Sequence, residues 1–394
     1  MTMREEIDRI LQEAVDRGDV PGVIAVAVND RETLYSGAFG VRSLETRVPM
    51  EVDTVLWYAS MTKALVSTGA VQMVEQGKVG LDEPLGDLLP GLKSPQVLEG
   101  FAEDGAPIVR PAKRPVTLRH LLTHTSGYGY DIWNADVERY MRENDVPLLV
   151  DCKLKSLEQP LAADPGEKWE YGISIDWVGQ VVEAVSGQSL EDYLIEHLLR
   201  PLGMNDTNFL IGDRRPRLAH VHQRQPDGSL EKIENEINQE PEFFMGGGGI
   251  YGTAPDYAKF VQMMLNDGVG VNGTRVLKPE TVELMAANHI GEIPAGVLNS
   301  VLHDLSYPLV DFFPGTKQGW GLSFLINMED SPHGRSAGSL CWAGLANTYF
   351  WIDRKKKLGG VIMTQILPFG DPKVIDLYNA FERQVYGVAA EPVG

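Results

Sequence analysis

The N-terminal region changes from helical to strand-like hydrophobic spacing. Apolar residues recur with the spacing of one helix face at positions Ile7, Ile10, Leu11 and Val15. This pattern predicts a helix over residues 4–17, which Gly18 can end. The runs VPGVIAVAV (20–28) and TLYSGAFGV (33–41) then predict two strands. Because their connection is short, we expect these strands to pair antiparallel.

Strand-like patterns return near the C-terminus. The segments QGWGLSFLINM (318–328), ANTYFWID (346–353) and KLGGVIMTQ (357–365) predict three more strands, and a helix is predicted over about 373–385. The long region between the two sets of strands shows mostly helical spacing, interrupted by loops that contain Pro and Gly.

Strands at both ends with helices between them predict an α/β fold whose antiparallel sheet is built from both termini and flanked by helices. We expect one domain over 1–394, with an α/β lobe at about 1–75 and 315–394. A mostly helical lobe, about 76–314, is expected to be inserted between the two parts.

Composition and charge narrow the range of functions. The formal net charge of -20 and the pI of about 4.8 disfavour nucleic acid and membrane partners, since both are polyanionic surfaces. The N-terminus lacks the apolar segment of a secretory leader, and no run of about 18 apolar residues occurs. Cys152 and Cys341 are the only cysteines, which favours a reducing compartment. We therefore expect a cytoplasmic protein.

The first segment with candidate chemistry is Ser60-Met61-Thr62-Lys63, at the start of the apolar helical run ALVSTGAVQMVEQ. A helix N-terminus favours developing negative charge, and a spacing of three places Lys63 on the same face as the Ser60 hydroxyl. A lysine among apolar residues can lose its proton and activate the serine. The alternative is a helix N-cap with a lysine that reaches solvent. A second match, Ser229 to Lys232, lies in a turn-like acidic segment and predicts an exposed hairpin.

Two further segments supply the groups that such a serine needs. Tyr171 lies between a loop and an amphipathic helix, where its phenol could relay protons; the alternative is a core tyrosine. Residues 339–345 end in Gly344 and Leu345 before a strand, and the backbone N–H groups of Ser60 and Leu345 are the predicted oxyanion hole. Gly344 would let a ligand approach the backbone, or it could mark an ordinary bulge.

Three other motifs are rejected. The G-x-S-x-G match at 334–338 requires a later histidine, and the last one is His333. The G-x-G-x-x-G match at 247–252 follows an acidic segment instead of an apolar strand, so a glycine-rich wall beside the substrate, or a mobile loop, is the better interpretation. His120 and His124 lack the rest of a metal motif, and we expect them to be structural hydrogen-bonding residues. Neither a metal nor a cofactor is expected.

In this order, the segments around Ser60, Tyr171 and Trp342 resemble the serine β-lactamase and penicillin-binding protein superfamily. The resemblance is to family VIII carboxylesterases, which look like class C β-lactamases. It extends over nearly the whole chain through the following supporting segments: LRHLLTHTSGYGYD (118–131), PGEKWEYGISIDWVG (165–179), RPLGMNDTNF (200–209) and GGGGIYGTAPDYAKFVQMML (246–265).

The resemblance implies a serine β-lactamase-like fold, with Ser60 as nucleophile, Lys63 as its partner and Tyr171 as general base and acid. Trp342-Ala343-Gly344 stands where β-lactamases have Lys-Thr-Gly, and Tyr171-Gly172-Ile173 lacks the Asn of their Tyr-x-Asn box. Both departures remove polar groups that would hold a β-lactam. We therefore expect ester hydrolysis and do not expect efficient β-lactam turnover.

The predicted function is a serine carboxylesterase that acts on a small-molecule ester through an acyl-enzyme on Ser60. The candidate substrate-binding residues are Trp342, Gly344, Tyr128 and Phe243, with Trp133 and Trp177 as further aromatic candidates. The alternatives are an acyltransferase, an amidase or peptidase acting on D-amino acid derivatives, and a catalytically silent ligand-binding relative.

Overall fold

The helices of the computed structural model, which describes residues 2–388, cover both ends and much of the middle of the chain. In chain order, α1 to α10 span Met3–Asp16, Thr62–Glu75, Leu118–Leu122, Ala135–Glu143, Ser174–Ser186, Leu190–Leu194, Arg200–Leu202, Ala254–Leu265, Pro279–Ala286 and Pro372–Tyr386. The first begins at Thr2, whose side chain and that of Glu5 form a reciprocal capping box. The last begins at Asp371, which caps two backbone N–H groups.

The strands lie mainly near the two ends. In chain order, β1 to β16 span Gly22–Asn29, Thr33–Gly40, Leu56–Trp57, Gln96–Phe101, Pro107–Pro111, His222–Arg224, Leu230–Lys232, Tyr251–Gly252, Val297–Asn299, Leu309–Asp311, Gln318–Trp320, Leu325–Asn327, Ser339–Gly344, Thr348–Asp353, Leu358–Met363 and Ile366–Leu367.

The main sheet has seven strands in the order β11-β12-β13-β14-β15-β1-β2. All its pairings are antiparallel, and β1 joins β15 with Ile24 opposite Met363. Two central strands, β14 and β15, are buried at nearly every position because helices cover both faces. The predicted α/β fold, with a sheet built from both termini, is confirmed.

The helical packing departs from a simple division into two lobes. On one side of the sheet α1 packs against α10, whereas α8 packs against β1, β14 and β15 although it comes from the middle of the chain. The middle also contains the short hairpins β4–β5, β6–β7 and β9–β10. Its helical part is centred on α2, which contacts α5, α6 and α9.

Two element boundaries differ from the sequence expectation. The single strand predicted over 318–328 is divided into β11 and β12 by a turn in which Ser323 adopts a φ of 71°. Residues 339–344 form the fully buried strand β13, which pairs with β14 as far as Gly344 but with β12 only as far as Cys341. No helix among the described residues is long and apolar enough to cross a membrane.

Candidate active site

Ser60 lies in a single 3-10 turn, Ala59–Met61, immediately before α2. The turn is held in place because Tyr58 donates its backbone N–H to Ile250 O at 2.9 Å and its hydroxyl to Thr253 O at 2.6 Å. Ala59 adopts a φ of 47°, a strained conformation for a residue with a side chain. Ser60 remains partly exposed while its neighbours Ala59 and Met61 are buried, so its hydroxyl is available to a substrate.

Lys63 is completely buried in the first turn of α2. Its Nζ donates to Ser60 Oγ at 3.1 Å, to Tyr130 Oη at 3.0 Å and to Gly247 O at 2.7 Å. Burial disfavours the ammonium form and lowers the pKa of Lys63 to about 7, against the opposing charge of Asp176. A neutral amine that can accept the proton of Ser60 is therefore well populated near neutral pH.

Asp176 supports this lysine through the peptide of Gly247. The Gly247 N–H donates to Asp176 Oδ1 at 2.9 Å while the carbonyl of the same residue accepts from Lys63. Burial raises the pKa of Asp176 to about 6, opposed by the charge of Lys63. A Cβ on Gly247 would lie 2.5 Å from Asp176 Oδ2 and 2.8 Å from the Tyr130 hydroxyl. Only glycine therefore fits between these groups.

The Tyr171 hydroxyl also contacts Ser60. It is hydrogen-bonded with Ser60, and it accepts from Trp342 Nε1 at 2.9 Å. Lys63 Nζ lies 4.8 Å from the Tyr171 ring centroid. Burial raises the pKa of Tyr171, so the resting side chain is a neutral phenol that can donate a proton. The Trp342 N–H stabilises negative charge that develops on the phenol oxygen.

The end of β13 comes next to the nucleophile turn. A Cβ on Gly344 would lie 2.2 Å from Tyr58 O and 2.3 Å from Thr348 Oγ1. The close approach that we expected a ligand to make at Gly344 is therefore made by the chain's own backbone. Its consequence is that Leu345 and Ser60 line the same cavity. That the backbone N–H groups of Ser60 and Leu345 form an oxyanion hole remains a prediction.

A cavity of about 210 Å³ opens over Ser60. Most of its wall is apolar, with the following principal contributors: Trp57, Ile132, Trp133, Leu149, Val150, Met245, Leu305 and Leu345. Besides Ser60, the wall contains Tyr130, Asp131 and Asn235 as polar side chains. Gly248 also lines it, so part of the glycine-rich segment does form a wall beside the nucleophile.

The predicted substrate-binding residues lie in three places. Trp133 lines the cavity, whereas Trp342 lies behind Tyr171 and contacts its hydroxyl. Tyr128 stacks on Trp177 with ring centroids 5.9 Å apart, and both border a separate surface depression. Phe243 is buried and is not among the residues that line the cavity.

The rejected motifs also have clear positions. Ser229 to Lys232 lies on the β6–β7 hairpin, as predicted. Ser336 is buried, and its N–H donates to Asp353 Oδ2 at 2.9 Å. Among residues 2–388 no cluster of His, Cys, Asp and Glu could hold a metal ion.

The two histidines of the rejected metal motif differ from each other. His120 Nδ1 accepts from Thr117 N at 3.2 Å, as expected of a structural histidine. The buried ring of His124, by contrast, has no hydrogen-bond partner within the described part of the chain. It packs instead against Tyr171, with ring centroids 4.7 Å apart, so the expectation of a hydrogen-bonding role was wrong for His124.

Sequence reasoning missed Tyr130, Asp176 and Gly247. A signal existed for Asp176, because it is the only acid in the first two turns of the mostly apolar helix SIDWVGQVVEAVS. A buried carboxylate needs a polar partner, so an acid in such a helix indicates a functional or structural contact. For Tyr130 and Gly247 the contacts depend on tertiary structure, and spacing alone could not show them.

Comparisons with known proteins agree with this architecture. The chain is 33% identical over 402 residues to a lovastatin esterase of Penicillium rubens, covering 96% of this chain and 98% of that protein. It is 32% identical over 399 residues to a monacolin J acid methylbutanoyltransferase of Aspergillus terreus, covering 96% and 95%.

Solved structures confirm the predicted serine β-lactamase-like fold. The unliganded simvastatin synthase LovD from Aspergillus terreus superposes with a TM-score of 0.83 at 30% identity, covering 98% of each chain. EstCE1, a hydrolase with promiscuous acyltransferase activity, shares the fold with a TM-score of 0.76 at 23% identity, covering 97% of this chain and 98% of that one. The model of the Beta-lactamase family matches residues 7–384, and this chain therefore belongs to the Beta-lactamase family.

Proposed function

We propose that this chain is a serine carboxylesterase of the family VIII type, which hydrolyses small-molecule esters through an acyl-enzyme on Ser60. The observation that carries the proposal is the Ser60 hydroxyl, which lines an apolar cavity and accepts a hydrogen bond from a buried lysine with a pKa of about 7. A nucleophile paired with such a base is the arrangement that acyl transfer needs. The similarity to a lovastatin esterase supports the same reaction class.

Acylation would begin when neutral Lys63 takes the proton from Ser60 Oγ as this oxygen attacks the ester carbonyl. The carbonyl electron pair moves to its oxygen, which lies between the N–H groups of Ser60 and Leu345. When the intermediate collapses, the ester C–O bond breaks and the Tyr171 phenol protonates the leaving alkoxide. Lys63 then returns its proton to Tyr171, so the acylated enzyme has its resting protonation.

Deacylation would repeat the sequence with water as the nucleophile. Water gives its proton to the Lys63 and Tyr171 pair as its oxygen attacks the acyl carbonyl, and Ser60 leaves with a proton. The products are a carboxylic acid and the free enzyme. Trp342 acts on both steps because its N–H bonds to the Tyr171 oxygen when that oxygen carries negative charge.

Acyl transfer to an alcohol is the second candidate function. The similarity to a monacolin J acid methylbutanoyltransferase favours it, because that protein's name describes acyl transfer. The two reactions share the same acylation step and differ in whether water or an alcohol attacks the acyl-enzyme. We expect β-lactams to be poor substrates, since Trp342 replaces a cationic Lys and buried Ile173 replaces an amide.

A kinetic panel tests the proposal. The parent enzyme is assayed with p-nitrophenyl butyrate, a cephalosporin and an anilide, and then with butyrate ester in the presence of a primary alcohol. We expect the ester to give the highest kcat/KM and butyric acid to be the main product. An acylated alcohol as main product would establish the transferase, and faster β-lactam hydrolysis would contradict the proposal.

Two serine variants serve as a matched pair in this assay. Ser60→Ala should abolish turnover, whereas Ser229→Ala, in the second S-x-x-K match, should retain it because Ser229 lies on an exposed hairpin.

The proposal includes a cytoplasmic location, which the two buried free thiols of Cys152 and Cys341 support.

A further inference from the structure

The cavity over Ser60 has an uneven distribution of charge. Its wall contains one carboxylate, Asp131, and one carboxamide, Asn235, among mostly apolar and aromatic side chains. No lysine or arginine of residues 2–388 is among the lining residues. A substrate that enters this cavity therefore meets one acidic side chain, whereas Lys63 is outside the lining residues and is hydrogen-bonded to Ser60 and Tyr130.

Asp131 is held next to the reaction centre. It directly follows Tyr130, whose hydroxyl accepts from Lys63 at 3.0 Å. In the part of the chain that the structure describes, no Lys, Arg or His forms an ion pair with it. Its carboxylate accepts from its own N–H and from that of Ile132, while burial raises its pKa. When it is ionised, this carboxylate carries a negative charge without a cationic partner among the groups that act on it.

Asn235 provides a different kind of contact on the same wall. Its Nδ2 has no hydrogen-bond partner within residues 2–388 and is itself buried, so it can donate to a substrate oxygen once the side chain turns toward the cavity. The amide carries no net charge, so it does not cancel the field of Asp131. The two groups together favour a neutral oxygen function, such as an ester carbonyl or a hydroxyl, over an anion.

We propose that Asp131 is a specificity determinant that restricts this cavity to neutral or cationic esters and selects against esters that carry a carboxylate. The proposal rests on the esterase function given above and adds the charge class of its substrate. The molecule's formal net charge of -20 acts in the same direction at long range, but salt screens it, whereas a carboxylate in the cavity wall acts at short range.

The test uses three p-nitrophenyl esters with acyl chains of equal length that end in a methyl ester, a carboxylate or a trimethylammonium group. They are assayed at pH 8 and high salt, and the measured quantity is the ratio of kcat/KM for the anionic ester to that for the neutral ester. Two unit charges several ångströms apart at an effective dielectric constant of about 20 predict a ratio of roughly one tenth or less.

Three variants assign the effect to Asp131. Asp131→Asn should raise the ratio roughly 10-fold, since it removes the charge and keeps the shape. Asn235→Asp should lower the ratio further, because it adds a second charge to the same wall. Asp136→Asn is the matched control: it removes the same charge from an exposed position outside the cavity and should leave the ratio unchanged.

The outcomes separate this proposal from the esterase function on which it depends. If the enzyme hydrolysed none of the three esters, the proposed function would be contradicted. Equal turnover of the neutral and anionic esters by the parent would overturn the role of Asp131 alone. The role of Asp131 would also be overturned if the ratio of kcat/KM for the anionic ester to that for the neutral ester stayed low in Asp131→Asn or rose in Asn235→Asp.

Discussion

At the scale of single residues, the site depends on where protons are held at rest. Lys63 has a pKa of about 7 because it is buried, while burial keeps Tyr171 a neutral phenol. In the proposed mechanism the lysine is therefore the acceptor for the Ser60 proton, and the tyrosine begins the cycle as a donor. This division of roles follows from desolvation and could not be obtained from the S-x-x-K spacing alone.

Tyr171→Phe is expected to lower kcat about 10²- to 10⁴-fold, the usual contribution of a positioned proton donor. It also leaves the buried Trp342 N–H without its acceptor, which should lower the free energy of unfolding by about 1–3 kcal/mol. Steady-state kinetics and chemical denaturation measure the two effects separately.

A double-mutant cycle distinguishes the donor role from packing. The double variant Trp342→Phe/Tyr171→Phe lacks both partners of the hydrogen bond. Its loss in the free energy of unfolding should therefore be smaller than the sum of the losses in the two single variants, while its kcat stays low. A Tyr171→Phe enzyme that melts lower yet hydrolyses ester at the parent rate would remove Tyr171 from the mechanism.

Asp176→Asn tests the link through Gly247. The active form of Lys63 is unprotonated, so kcat/KM should rise with pH through about 7 in the parent. The charge of Asp176 raises the pKa of Lys63, and its removal should move the acid side of the pH–rate profile to lower pH. A profile that stays in place, or that moves to higher pH, would show that Asp176 does not act on Lys63.

At the scale of elements, the site is the junction of the turn before α2 with the end of β13. Gly344 allows this contact, because any side chain there would overlap Tyr58 O and Thr348 Oγ1. We expect Gly344→Ala to destabilise the fold by about 1–3 kcal/mol through overpacking. The displaced turn should also lower kcat, which ester assays and thermal melting measure. Parent kcat and Tm would contradict this view of the junction.

The sequence predicted those elements whose hydrophobic spacing is local. The helix α1 and the strands β1, β2, β14 and β15 lie close to their predicted positions, because one buried face or a continuous apolar run determines each. The division of 318–328 into two strands was not predicted, since its turn uses Ser323 at a positive φ and a contact with Leu122. Gly321 begins this turn, but one glycine within an apolar run is equally consistent with a bulge in a continuous strand.

The candidate site was likewise predictable only in part. The sequence predicted Ser60, Lys63 and Tyr171 as one site because their motifs resemble those of a known family. The aromatic residues of the pocket could not be distinguished from core aromatics in this way. Tyr128 and Phe243 show why, since both are buried and neither lines the cavity. Membership of the cavity is a tertiary property that hydrophobic spacing does not encode.

At the scale of the whole molecule, strands from both ends of the chain form one sheet, and α10 packs against it. Arg335 in the connection between β12 and β13 is buried and donates to Glu382 of α10 at 2.8 Å. Glu382→Ala leaves that charge unpaired, and we expect a loss of about 3–5 kcal/mol in the free energy of unfolding. Differential scanning calorimetry measures it.

This pair also separates global stability from catalysis. Neither residue lines the cavity, so folded Glu382→Ala enzyme should retain its kcat at low temperature. Replacement of both charges, as in Arg335→Met/Glu382→Leu, should recover much of the lost stability. If Glu382→Ala melted like the parent, the buried pair would not contribute to holding α10 on the sheet.

The proposed reaction passes through an acyl group on Ser60, and covalent trapping detects this intermediate. The parent is incubated with a slowly hydrolysed ester or a fluorophosphonate, quenched in acid and examined by intact-protein and peptide mass spectrometry. We expect one adduct per chain, on the peptide that contains Ser60, and none in Ser60→Ala. An adduct on Ser336, or steady ester turnover by Ser60→Ala, would contradict it.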